Sequence, residues 1–89
     1  MRLDALTSAH VDVSDVAVEI GAPAVGKPMK EIPFPRECVI ASVRRGGQVF
    51  IPRGETVLYA GDMLVVVAEG VAREEVERLC HQQDDELLA

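Results

Sequence analysis

The chain has 89 residues, 48% of them hydrophobic and 27% charged, with a formal net charge of −6 at pH 7. That is one globular domain by length and composition, and the acidic balance argues against a nucleic-acid partner, because phosphate binding needs clustered Lys and Arg. No run approaches the ~20 apolar residues of a membrane helix, and Met1-Arg2-Leu3-Asp4 lacks the apolar stretch of a signal peptide, so this piece is expected to be soluble.

Residues 1–12 show no sustained period and read as a linker or stub, with His10 idle in solvent. Apolar residues then alternate as Val11, Val13, and again as Val16, Val18, Ile20. The change of phase near Ser14-Asp15 predicts a bend or bulge, with the firm strand over Val16 to Ile20. Gly21 to Lys27 matches the Gly-x4-Gly-Lys of a phosphate loop, but Pro28 follows where Ser or Thr would hold magnesium, and proline offers no backbone N–H to a phosphate. Nucleotide hydrolysis is therefore set aside. Pro28 instead opens a short helix, with Val25, Met29 and Ile32 turned to the sheet and Pro33 and Pro35 ending it.

Three runs rich in Val, Ile and Phe follow, separated by turn residues, the pattern of a small antiparallel sheet. In Cys38 to Ile51 the Gly46-Gly47 pair reads as a two-residue hairpin loop, which places Arg45 opposite Gln48, Arg44 opposite Val49, Val43 opposite Phe50 and Ser42 opposite Ile51. Alternation then puts Val39, Ala41, Val43 and Phe50 on a core face, and Ile40, Ser42, Arg44, Val49 and Ile51 on a second, mixed face. In Met63 to Glu69 both faces are apolar, so the second face is expected to be covered by another copy of the chain, with Ile40, Ser42, Val49 and Ile51 as the dimer contacts. Val57 to Tyr59 reads as a brief extended piece, and Ala60-Gly61-Asp62 as the turn into the last strand. Ala72, Val76, Leu79 and Cys80 form an apolar stripe on a charged helix reaching about residue 82. The acidic tail, 83–89, is expected to fray. The fold class is α/β, more strictly α+β: a small, mainly antiparallel sheet with a short helix after the first strand and a C-terminal helix, over residues 13–82.

Catalysis has no candidate constellation. Cys38 and Cys80 are too few and too far apart for a disulfide scaffold and read as buried free thiols. Cys80-His81 with Asp84 and Asp85 do not converge on one metal ion, because adjacent helix positions diverge by about 100°. Arg44 is the informative residue. A strand-centre arginine beside aliphatic neighbours suits an anionic ligand or a partner's carboxylate, and equally a guanidinium reaching solvent past the end of the sheet.

The ordered set Val18-Glu19-Ile20, Gly26-Lys27-Pro28-Met29, Cys38 to Gly47, Ile51-Pro52-Arg53-Gly54-Glu55-Thr56 and Gly61-Asp62-Met63 to Val67 resembles the C-terminal subdomain of the RCK (regulator of potassium conductance) family, also called the TrkA C-terminal domain. The resemblance covers about residues 13 to 80. It implies a non-enzymatic, cytoplasmic, dimerising regulatory domain that serves potassium and other ion transporters, in the same chain as a membrane carrier or beside one. In some members the dimer groove binds cyclic di-AMP, and the positions that match here are Val39, Ile40 and Arg44 or Arg45. A purely structural subunit-interaction domain with no small ligand is the alternative. The nucleotide-binding domain that usually precedes this one lies outside these 89 residues, so NAD or ATP binding is not carried over.

Overall fold

Arg45 faces Gln48, Arg44 faces Val49 and Val43 faces Phe50 in the structure, a computed structural model that describes residues 11–82. Gly46 and Gly47 take φ of +55° and +86°, as a tight loop between twisted strands requires. The hairpin joins β2 (Cys38–Arg45) to β3 (Gln48–Phe50). Ile51 lies just beyond β3 and is not paired with Ser42.

With β1 (Val11–Ala17) and β4 (Met63–Glu69) the hairpin builds one antiparallel sheet in the order β1-β4-β2-β3. β4 is central because it alone is apolar on both faces. Its inward residues Leu64, Val66 and Ala68 are buried. The C-terminal helix, α1 (Ala72–Cys80), lays Ala72, Val76, Leu79 and Cys80 on the inner face of β4 and β1. The predicted stripe is thus the buried one. Outward-facing Arg73–Glu77 and Glu75–Arg78 pairs line the helix's solvent side. The last carbonyls of α1 are satisfied by the chain after β1: Ala24 N–H donates to Leu79 O at 3.0 Å and Glu19 N–H to Cys80 O at 2.8 Å.

Residues 26–30 run beside 54–58 and close the core over β2. Gly26 N–H donates to Leu58 O at 2.8 Å and Met29 N–H to Thr56 O at 2.7 Å, with Pro28 bridged to Val57. This brings Leu58 and Ile32 into the core beside Val43 and Val66. Burying a side chain of this size contributes about 1.5–3 kcal/mol. The helix expected after Pro28 is a single 3-10 turn, Met29–Glu31, because Pro33 brings no N–H to continue it and holds Ile32 extended.

Two expectations about strand phase are corrected. β1 runs from Val11 to Ala17 and pairs with β4 without a register shift. Its changed periodicity means that Val13 points outward and Val16 inward on one continuous strand. The irregularity sits in β2 instead, where Ile40 pairs with Val66 and Ser42 with Val65, leaving Ala41 as an extra residue. An inserted residue reverses the faces upstream of it. Val43 and Phe50 therefore face the core as expected, but Ile40 is buried and Val39 is 61% exposed. The expectations for residues 1–10, His10 included, and for 83–89 lie outside the described residues.

Candidate functional site

Beyond the Val11–Glu69 pair at one end of the sheet, the side away from α1 presents three cross-strand rows. The first is Val13, Val67 and Val39; the second Asp15, Val65 and Ser42; the third Ala17, Met63, Arg44 and Val49. Each row follows from the registers and from alternation along the strands. Val13, Val39 and Val49 are exposed, whereas the three residues from β4 are half-buried between their neighbours. The result is an aliphatic surface with Asp15 on the β1 side, Arg44 on the β2 side and Glu69 at one end of β4.

The residues singled out from sequence divide on this geometry. Val39, Ser42, Arg44 and Val49 share the outer face, and Ile51 is exposed just past its edge. Ile40, expected there both as a dimer contact and as a ligand contact, is in the core against Val66. Arg45 also leaves the set. Its Nε donates to Asp62 Oδ1 at 2.8 Å, and its Nη2 donates to Asp62 Oδ2 at 2.7 Å and to the Val57 carbonyl at 2.9 Å. Its guanidinium carbon lies 5.1 Å from the Phe50 ring centroid and 4.9 Å from that of Tyr59. All of this is on the α1 side of the hairpin end. Arg44, one residue earlier, points the other way and has no hydrogen bond or ion pair with any described residue.

Electrostatics separate the two arginines further. Burial works to raise the Asp62 carboxyl, but the Arg45 hydrogen bonds and the Tyr59 N–H outweigh it and hold Asp62 below the usual carboxylate range. The bond to Asp62 likewise raises Arg45. Its charge is committed within the fold. Burial pushes the Cys80 thiol up to about 12 and, with Glu37 nearby, raises Cys38 too. Both are free thiols, and burial disfavours the thiolate at each.

Sequence reasoning missed Val13, Asp15 and Asp62. The signal for Val13 was its alternation with Val11, and for Asp62 its place directly before an all-apolar strand. Among the described residues no group of three or more His, Cys, Asp or Glu is placed to hold a metal ion. No helix there is long and apolar enough to cross a membrane. An open groove of about 410 Å³ at the β4–α1 junction is lined by Pro35, Val71, Ala72 and the glutamates Glu37, Glu69 and Glu75. Without a basic residue in its lining, it does not suit an anion.

Three comparisons bear on this arrangement. A Trk system potassium uptake protein TrkA homolog from Archaeoglobus fulgidus is 41% identical over 69 residues, which is 78% of this chain and 15% of the relative. The Trk system potassium uptake protein TrkA of Mycobacterium tuberculosis is 29% identical over 79 residues, 89% of this chain and 36% of the relative. The chain thus spans a minor part of both. A solved structure described as an RCK domain with cda superposes with a TM-score of 0.69 at 17% identity, covering 78% of this chain and 97% of the other. Its likeness is one of fold. The TrkA-C domain model matches residues 13–81, from the middle of β1 to just past the end of α1, and the chain belongs to that family.

Proposed function

We propose that this chain is a non-catalytic, dimerising regulatory module of an ion-transport protein acting on the cytoplasmic side of a membrane. Potassium uptake is the process its relatives are named for. The observation that carries the reading is the outer face, where Val13, Val39 and Val49 stand exposed around the half-buried Val65 and Val67. A central strand apolar on both sides is suited to burial on both sides, and a domain of this size buries only roughly 60–65% of its unfolded surface alone. A second copy on that face supplies the missing cover. Light scattering tests this. The unaltered chain should give twice the 9.6 kDa monomer mass, and Val67→Glu should give the monomer. A single 9.6 kDa species from the unaltered chain at high concentration overturns the reading.

A second reading adds a ligand, cyclic di-AMP, whose phosphates Arg44 would bind in the dimer groove beside Val39 and Ser42. Arg44's lack of a partner among the described residues favours it, and a fold relative is described with cda. Calorimetric titration of the chain with cyclic di-AMP should show heat that Arg44→Ala removes and Arg45→Lys leaves. No heat from the unaltered chain leaves the structural, ligand-free module as the function.

A further inference from the structure

We propose that Arg44 forms an ion pair across the dimer with the partner's Glu69, and that this pair sets the two sheets head to tail. The inference rests on the outer face being the self-association surface. Arg44 and Glu69 are both exposed on that face, and neither side chain makes a hydrogen bond or ion pair with another described residue. They stand at opposite ends of it. Glu69 is paired with Val11 at one end of β4, and Arg44 with Met63 at the other, about 20 Å away along the strand. Between them lie the rows of Val13, Val67 and Val39 and of Asp15, Val65 and Ser42. The face thus carries an acid at one end and a base at the other, and is mostly aliphatic between. The groove beside the Glu69 end, lined also by Glu37 and Glu75, contains no basic residue.

A two-fold interface makes every cross contact twice. With the strands of the two sheets aligned, its axis in the plane of the face runs either along the strands or across them. An axis along the strands lays each row on the same row of the copy. Arg44 then never approaches the partner's Glu69, and an axis along β4 itself lays Glu69 on its own copy, which like charges disfavour. An axis across the strands reverses the rows. Passing through Val65 it stacks Asp15 on its own copy, and passing through Val67 it carries Arg44 beyond the end of the partner's β4. Midway between Val65 and Val67 it matches all four rows. Val65 then lies over the partner's Val67, Ser42 over the partner's Val39, and the row of Arg44 over the row of the partner's Glu69. Arg44 and that glutamate are about 4.8 Å apart in the plane and about 10 Å apart between the sheets, a span that two long side chains close. No like pair comes near. Asp15 lies over the partner's Val13, about 12 Å from its counterpart and farther from the partner's Glu69, more than a Debye length at physiological salt.

Charge reversal tests the pair. Sedimentation equilibrium on Arg44→Glu and on Glu69→Arg should each show self-association weakened about 10- to 100-fold, because each variant brings like charges together twice. The two single variants mixed together should form a heterodimer of near-native affinity, since each of its two contacts again joins an acid to a base. Arg73→Glu makes the same change in net charge on the solvent side of α1, across the sheet from this face, and should leave the affinity unchanged. All these residues are exposed, so circular dichroism should report an unchanged fold. A monomeric unaltered chain, or a dimer indifferent to Val67→Glu, overturns the underlying reading and the pair with it. A dimer that Val67→Glu dissociates overturns the pair alone if neither reversal weakens it, if Arg73→Glu weakens it as much, or if the single variants show no preference for each other.

Discussion

Arg45 and Asp62 are joined by two parallel hydrogen bonds, Nε to Oδ1 and Nη2 to Oδ2, which tie the end of β2 to the turn that begins β4. The Asp62 side chain is 2% exposed and that of Arg45 38%. Asp62 also accepts the Tyr59 N–H at 2.9 Å, so one carboxylate fixes both the hairpin and the 59–62 turn. Gly61, at φ +95°, lets the chain turn sharply enough to place it there.

Arg45→Ala leaves the Asp62 carboxylate buried without its counter-charge. The loss should be about 2–3 kcal/mol, below the range for a fully buried pair because Arg45 is partly exposed. Arg44→Ala, its outward neighbour, should change the stability of the fold itself by no more than about 0.5 kcal/mol. Urea unfolding of both variants at one protein concentration checks this. Equal midpoints would show that the Asp62 link does not stabilise the fold.

The same pair predicts acid sensitivity. Asp62 is held below its ordinary value of 3.8 in the folded state, so between the two values the unfolded chain binds more protons than the folded one. Its contribution is therefore fully present above the unfolded value and is lost as pH falls through the folded one. Asp62→Asn should flatten stability against pH below about pH 4, as thermal melts across that range would show. It should also lower stability at neutral pH.

Ile40→Glu and Val67→Glu should part company although the two residues are close in the sheet. Ile40 is 9% exposed and packed in the core, and an unpaired charge there should prevent folding. Val67 faces outward, so its variant should keep the secondary-structure signal and lose only association. Circular dichroism with light scattering separates the two outcomes, and a folded monomer from Ile40→Glu would contradict the bulge in β2.

Ser14 faces inward opposite Val66, and its Oγ is buried without a hydrogen-bond partner. Ser14→Val replaces that hydroxyl by two methyl groups of a β-branched side chain suited to a strand. It should raise stability by about 1 kcal/mol, seen as a higher melting temperature.

Gly46→Ala and Gly47→Ala should each lower stability by about 1 kcal/mol. A Cβ at either position meets nothing within 4 Å, so the cost is backbone conformation alone. Matching losses in urea unfolding, without any change in association, would agree with this.

The sequence by itself determined the elements whose signal is local. The Gly46-Gly47 loop set the hairpin register, the spacing of Ala72, Val76, Leu79 and Cys80 set the buried stripe of α1, and the doubly apolar Met63 to Val67 marked the central strand. It also brought out Arg44 and Ser42 as outer-face residues. Only the tertiary structure decided the phase of β2 ahead of the bulge, because Val39, Ile40 and Ala41 are all apolar and alternation among apolar residues carries no face label. The strand order decided the rest: with β4 between β1 and β2, Val13 and Asp15 join a face shared with Val39 and Arg44. The roles of Arg44 and Arg45 likewise separate only in three dimensions. Adjacent strand residues point to opposite sides of the sheet, and a distant turn placed a buried carboxylate on one side and left the other open.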